Sequence, residues 1–198
     1  MAAFESLRRE SVLVVLVDLA EGPLSSVRST DRSELRRNAG LLAGTCVLLN
    51  VPVLIARAPL PGDAAKMLAE VQEHLPKAQE VEHATNDCWE SPAFVEAVRE
   101  SGRTQLVFAG IATDVGVGLT ALSTIRAGLQ AAVLVDVCGT LNARVEQAAW
   151  LRLQQAGVTL LGWSSFVGEV QREYNRPPGP ELLRLIRRST EGGSPHER

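Results

Sequence analysis

Six consecutive apolar residues, Val12-Leu13-Val14-Val15-Leu16-Val17, run straight into a carboxylate, Asp18. An uninterrupted, β-branched run of this kind fits a strand covered on both faces, as in a parallel sheet. Similar runs recur at residues 51–56, 105–109, 131–135 and 158–161. Between them lie segments of helical periodicity. Residues 33–50 place Leu35, Ala39, Leu42, Cys46 and Leu49 on one face, with Asp31 or Ser33 as cap. Residues 64–74, 92–101 and 145–155 read as helices, as does the stretch through Leu119, Leu122 and Ile125. Gly102, Gly128 and Gly157 stand where three of these helices should stop. Strands alternating with helices predict a single doubly wound α/β domain over residues 1–188. It has a mostly parallel sheet of about five or six strands with helices on both faces, a Rossmann-like three-layer arrangement. Residues 181–188 read as a short basic helix, with Arg184, Arg187 and Arg188 on its solvated face, and residues 189–198 as a disordered tail.

A chain of 198 residues suits one well-filled core. Its net charge of −3 gives no sign of a nucleic-acid partner, which announces itself as a basic excess. No apolar stretch reaches the roughly 18 to 20 residues that span a bilayer, so no membrane partner is expected. The early run at Val12 is too short for a signal-peptide core, and the expected location is the cytoplasm. Cys46, Cys88 and Cys138 are odd in number and far apart, which argues against a disulfide framework or a structural zinc site. His74, His83 and His196 lack metal-ligand spacing, and no metal or other cofactor is expected.

In a sheet of this kind ligands sit beyond the carboxyl ends of the strands. That rule selects residues 18–24, 56–62 and 110–116. Asp18 ends a buried strand, where a carboxylate is costly unless it is paired or chemically used. Its bland role would be a turn former; its chemical role would be a general acid or base. Arg57 leaves the second strand at the same rim, suited to clamp a substrate carboxylate. The glycine turn after the third long run opens a helix and offers backbone N–H groups to an anion or oxyanion.

The wording of that turn is more specific than its outline. Gly110-Ile111-Ala112-Thr113-Asp114-Val115-Gly116-Val117 resembles the central motif of the isochorismatase-like cysteine hydrolases, in which Gly, two small or apolar residues, Thr, an acidic residue and Val precede a nucleophilic Cys. Asp18 matches the family's first catalytic position. The segment Val135-Asp136-Val137-Cys138-Gly139-Thr140 is similar to its fourth strand and Asp-Ala motif. Asn86, Trp89 and Phe94 resemble an Asn-x-x-Trp-x-x-x-x-Phe stretch of a bacterial branch of octameric hydrolases. The likeness covers residues 11–176. It implies a site built on Asp18, Glu82 and Gly116, with a cis peptide between Ala112 and Thr113; Arg57, His83, Ala112 and Thr113 are expected around the substrate, and Trp89 as a pocket wall or an interface anchor.

Two of the three catalytic positions depart from the pattern. Gly116 has no side chain and cannot be a nucleophile. The family's basic residue falls on Glu82, of opposite charge, although a shift of one residue would put His83 there. Thioester chemistry is therefore absent at position 116. Some members of the family lack the Cys and cleave a vinyl ether by Asp-driven protonation, and the resemblance implies such a reaction, or a related lyase or isomerase step, on a small molecule. Glu82 beside Asp18 would favour it, since two carboxylates resist sharing charge. Two other readings stand against it: a catalytically inactive fold survivor serving binding or assembly, and an amidase that uses Cys88. The family's habit of assembly also implies a homo-oligomer, with Trp150, Trp163 and Phe166 as apolar contact area.

Overall fold

The structure, a computed structural model, describes residues 6–191, with side chains to residue 188. Six strands form one parallel sheet in the order β3-β2-β1-β4-β5-β6. In chain order the elements are β1 (Val12–Val17), α1 (Glu21–Ser26), α2 (Arg32–Leu49), β2 (Val53–Arg57), α3 (Ala69–Gln72) and β3 (Gln79–Glu82). Then follow α4 (Pro92–Ser101), β4 (Gln105–Ile111), α5 (Gly118–Arg126), β5 (Gln130–Gly139), α6 (Ala143–Gln155), β6 (Thr159–Leu161), α7 (Trp163–Gln171) and α8 (Gly179–Glu191). The expected doubly wound, three-layer architecture is the one observed.

The pleat of β1 explains the layers. Val12, Val14 and Leu16 point into a core roofed by α2, α7 and α8. Leu13, Val15 and Val17 point into a second core under α4, α5 and α6. Every residue of β1 is therefore buried, which accounts for the absence of polar residues in the run. Strand order reverses between β1 and β4, so the carboxyl ends of these two strands flank the position where such sheets bind ligands. Gly110 permits their close approach there. It has φ +146°, and a Cβ on it would stand 1.9 Å from the Val17 carbonyl oxygen.

Several local expectations are corrected. Residues 64–74 do not form one helix. The Leu68 N–H donates to the Leu19 carbonyl and the Glu21 N–H to the Lys66 carbonyl, while Ala20 bridges Met67. These contacts pull residues 66–68 into an extended strap across the exit of β1, leaving a 3-10 turn at Gly62–Ala65 and the short α3. Residues 21–24, after the end of β1, begin helix α1. Strand β3 has one buried apolar residue, Val81, because it is an edge strand. Helix α7 has Trp163, Phe166, Val167 and Val170 buried at helical spacing. Trp163 (3% exposed) and Phe166 (0%) thus belong to the core and supply no contact area for assembly. Helix α8 reaches Glu191, three residues into the segment expected to be disordered; residues 192–198 of that segment lie outside the described residues.

Candidate functional site at the ends of β1 and β4

Asp18 leaves β1 with φ +51°, the left-handed conformation that Asp and Asn tolerate better than most residues. This turns its side chain back across the sheet end. Oδ1 accepts the Ala58 N–H at 2.7 Å. The carboxylate is 15% exposed, and on the same oxygen it faces His83 Nε2 at 3.4 Å.

His83, not Glu82, meets Asp18. Side chains alternate along β3 and its continuation, so Val81 and His83 face inward and Glu82 faces out. Glu82 is exposed, with its carbonyl accepting the Ser91 hydroxyl, and it adds no charge beside Asp18. The His83 ring is 4% exposed. Its Nδ1 lies 2.8 Å from the Thr85 carbonyl oxygen, which can only accept, so Nδ1 carries hydrogen. Its Nε2 faces a carboxylate, which when ionised also only accepts. The ring that fits both neighbours is the imidazolium. The Asp18 carboxylate and, after it, the Cys88 thiol push the His83 pKa up to about 10, against the opposing effect of burial. At 3.4 Å from Asp18, Nε2 makes an ion pair but no hydrogen bond.

Gly116 sits on the other side of Asp18, in the single π-helical turn Thr113–Val117 that joins β4 to α5. Its φ is not in the left-handed region, so the backbone does not demand glycine here. A Cβ built on it stands 3.8 Å from Asp18 Oδ2 and 3.2 Å from Val17 Cγ1. The two carboxylate oxygens are thus divided, Oδ1 towards His83 and Ala58, Oδ2 towards position 116. The cis peptide lies one bond earlier than expected, between Ile111 and Ala112. The Ala112 carbonyl already belongs to the helical turn, accepting the Val115 and Val117 N–H groups at 3.2 and 3.1 Å, so the chain reverses before it. With those two donors engaged, the leading N–H groups of Thr113, Asp114 and Gly116 are the candidates for a ligand.

The remaining residues divide. Arg57 lies at the rim, paired through Nε with Glu80 at 3.0 Å, both side chains about two-fifths exposed. Thr113 is fully buried and donates its hydroxyl to Glu146. Trp89 is held away from Asp18: its indole N–H donates to Thr124 on α5, and its ring meets Phe94 edge-on at 5.7 Å. Cys88 is fully buried, bearing on His83 but reached by no open path in this conformation. Sequence reasoning passed over Glu146, since a single Glu in a helix carries no signal of facing inward. A cavity of about 10 Å³ lies beside Asp18 and Arg57, roofed by Leu60, Ala65 and Met67. It has room for about one water molecule. Glu21, Leu24 and Trp89 do not line it. Among the described residues no three His, Cys, Asp or Glu side chains group so as to hold a metal, and no helix is long and apolar enough to cross a membrane.

The isochorismatase domain model matches residues 12–165. YcaC of Escherichia coli is 31% identical over 85% of this chain and 81% of the relative. The structure of YcaC from Pseudomonas aeruginosa, solved with hexane-2,5-diol and covalent acrylamide, superposes with a TM-score of 0.85. It is 30% identical, over 95% of this chain and 98% of that one. The ycaC gene product of Escherichia coli, described as an octameric hydrolase of unknown specificity, also gives 0.85. It is 27% identical, over 96% and 99% of the two chains.

Proposed function

Because this chain belongs to the isochorismatase family, we propose that it hydrolyses a small molecule by acid–base chemistry centred on Asp18, with no nucleophile at position 116. The observation that carries this reading is the division of the Asp18 carboxylate: Oδ1 is held by Ala58 and His83, and Oδ2 faces the place where a side chain is missing. Asp18, at rest the carboxylate of the His83 ion pair, takes up a proton from water as the substrate binds and delivers it through Oδ2 to the carbon of a vinyl ether. Water adds to the resulting oxocarbenium ion and loses its proton to solvent, the alcohol departs, and Asp18 is left as the resting carboxylate. His83 stabilises the carboxylate that the proton transfer restores. A related lyase or isomerase step would use the same proton transfer. The substrate must displace Leu60 and Met67, because the closed cavity holds little more than water.

A screen of vinyl ethers, amides and small carboxylic acids tests the reading. Hydrolysis of a vinyl ether without any covalent adduct at residue 116 is the expected result; hydrolysis only of amides, through an adduct on Cys88, would overturn it. The small cavity favours one rival, an inactive pseudo-hydrolase that binds or assembles, and turnover of no compound in the screen would favour that rival. Gly116→Cys gives an independent check of the geometry. The new thiol, buried like Cys46, Cys88 and Cys138 but standing beside Asp18 Oδ2 as a base, is expected to react with acrylamide about tenfold faster than those three. Mass spectrometry of the peptide containing residue 116 reads the label.

Assembly into a homo-oligomer is part of the same proposal, supported by the octameric Escherichia coli relative. Leu141, Val145 and Leu151, exposed on and just before α6, are the apolar residues an interface would cover.

A further inference from the structure

We propose that Glu146 is a positioning residue: a buried carboxylate that fixes the turn bearing Gly116 by accepting the Thr113 hydroxyl. Its effect on catalysis rests on the Asp18-centred reading; its effect on the turn stands on the geometry alone.

Glu146 is the fourth residue of α6, and where its neighbours Val145 and Gln147 face solvent it is only 9% exposed. A carboxylate in that position costs stability unless a donor meets it. The donor is Thr113 Oγ1, at 2.7 Å and thirty-three residues away in the chain. Thr113 is fully buried and is the first residue of the turn Thr113–Val117. The next residue is fastened as well, because Asp114 accepts the hydroxyl of Thr140 at the end of β5. Two consecutive side chains thus tie the turn to α6 and to the sheet, without drawing on its N–H groups. What they hold in place is residue 116, where a Cβ would stand 3.8 Å from Asp18 Oδ2. A shift of about 1 Å at such a position is enough to cost about a hundredfold in rate.

The test compares Glu146→Ala with Glu146→Gln, which keeps an acceptor oxygen, and with Thr113→Val, which removes the donor. Glu146→Ala is expected to lower kcat about ten- to a hundredfold with KM changed less than about threefold, and Glu146→Gln to recover most of the loss. The double variant Glu146→Ala with Thr113→Val should be no slower than either single one, since both break the same bond. Should Glu146→Ala fail to fold, Thr113→Val against wild type carries the comparison. A fall in melting temperature with kcat unchanged would overturn the proposal. If the wild type hydrolyses nothing in the screen, amide hydrogen exchange decides instead. Exchange over residues 113–117 that is about tenfold faster in Glu146→Ala than in Glu146→Gln supports the anchoring, and equal exchange refutes it.

Discussion

Asp18→Asn is expected to lower kcat/KM by about a hundred- to ten-thousand-fold, the range of a general acid–base contribution, while leaving the fold in place. The reason the fold should survive is local. Asn tolerates the left-handed conformation that residue 18 adopts, at φ +51°. Its side-chain oxygen can also keep accepting the Ala58 N–H. What the amide cannot do is give up and recover a proton through the atom that faces position 116. Cys88→Ala provides the contrast, with activity expected to persist within about threefold, since a sealed thiol takes no part in the reaction. Steady-state rates on the best substrate of the screen, with a thermal melt for each variant, measure both. Full activity in Asp18→Asn would end the acid–base reading.

Replacing His83 should weaken both the fold and the reaction. His83→Ala leaves a mostly buried carboxylate without its counter-charge, at a cost of about 3 kcal/mol. The loss should depend on pH with a definite sign. The His83 pKa rises from 6.5 to about 10 on folding, so the protonated form is stabilised in the folded chain. The stabilisation is fully present below pH 6.5, diminishes as the pH rises from there, and is gone above about 10. Wild type and His83→Ala should therefore differ most in denaturant midpoint just below pH 6.5 and converge in the alkaline range. A gap between them that is constant from pH 6.5 to 10 would show that His83 is not charged in the fold. The rate of the wild type should fall only as the pH approaches about 10, where the folded protein loses the imidazolium that steadies the Asp18 carboxylate.

Part of the site was legible before any coordinates. Asp18 follows from the apolar run that precedes it, and the turn at residues 110–117 follows from its wording. Both lie on contiguous stretches whose burial is nearly complete, so pattern and position coincide. The choice between Glu82 and His83 was of another kind. Strand β3 reads Gln79-Glu80-Val81-Glu82, with one apolar residue to set its phase. An edge strand so polar gives little sign that it is a strand, and without the strand there is no pleat to decide which neighbour turns inward.

The sequence by itself determined the parallel, doubly wound sheet, the carboxylate at the end of its central strand, and the glycine at position 116. These are properties of local runs, where hydrophobic period and a few special residues leave one solution. Only the tertiary structure decided that His83 rather than Glu82 faces Asp18, and that Trp163 and Phe166 are core. It alone also decided that residues 66–68 form a strap across β1 and that Glu146 reaches Thr113. Each of these is a meeting of segments far apart in the chain. Which partner a polar group finds there depends on how helices and strands pack, a quantity that no local window of residues contains.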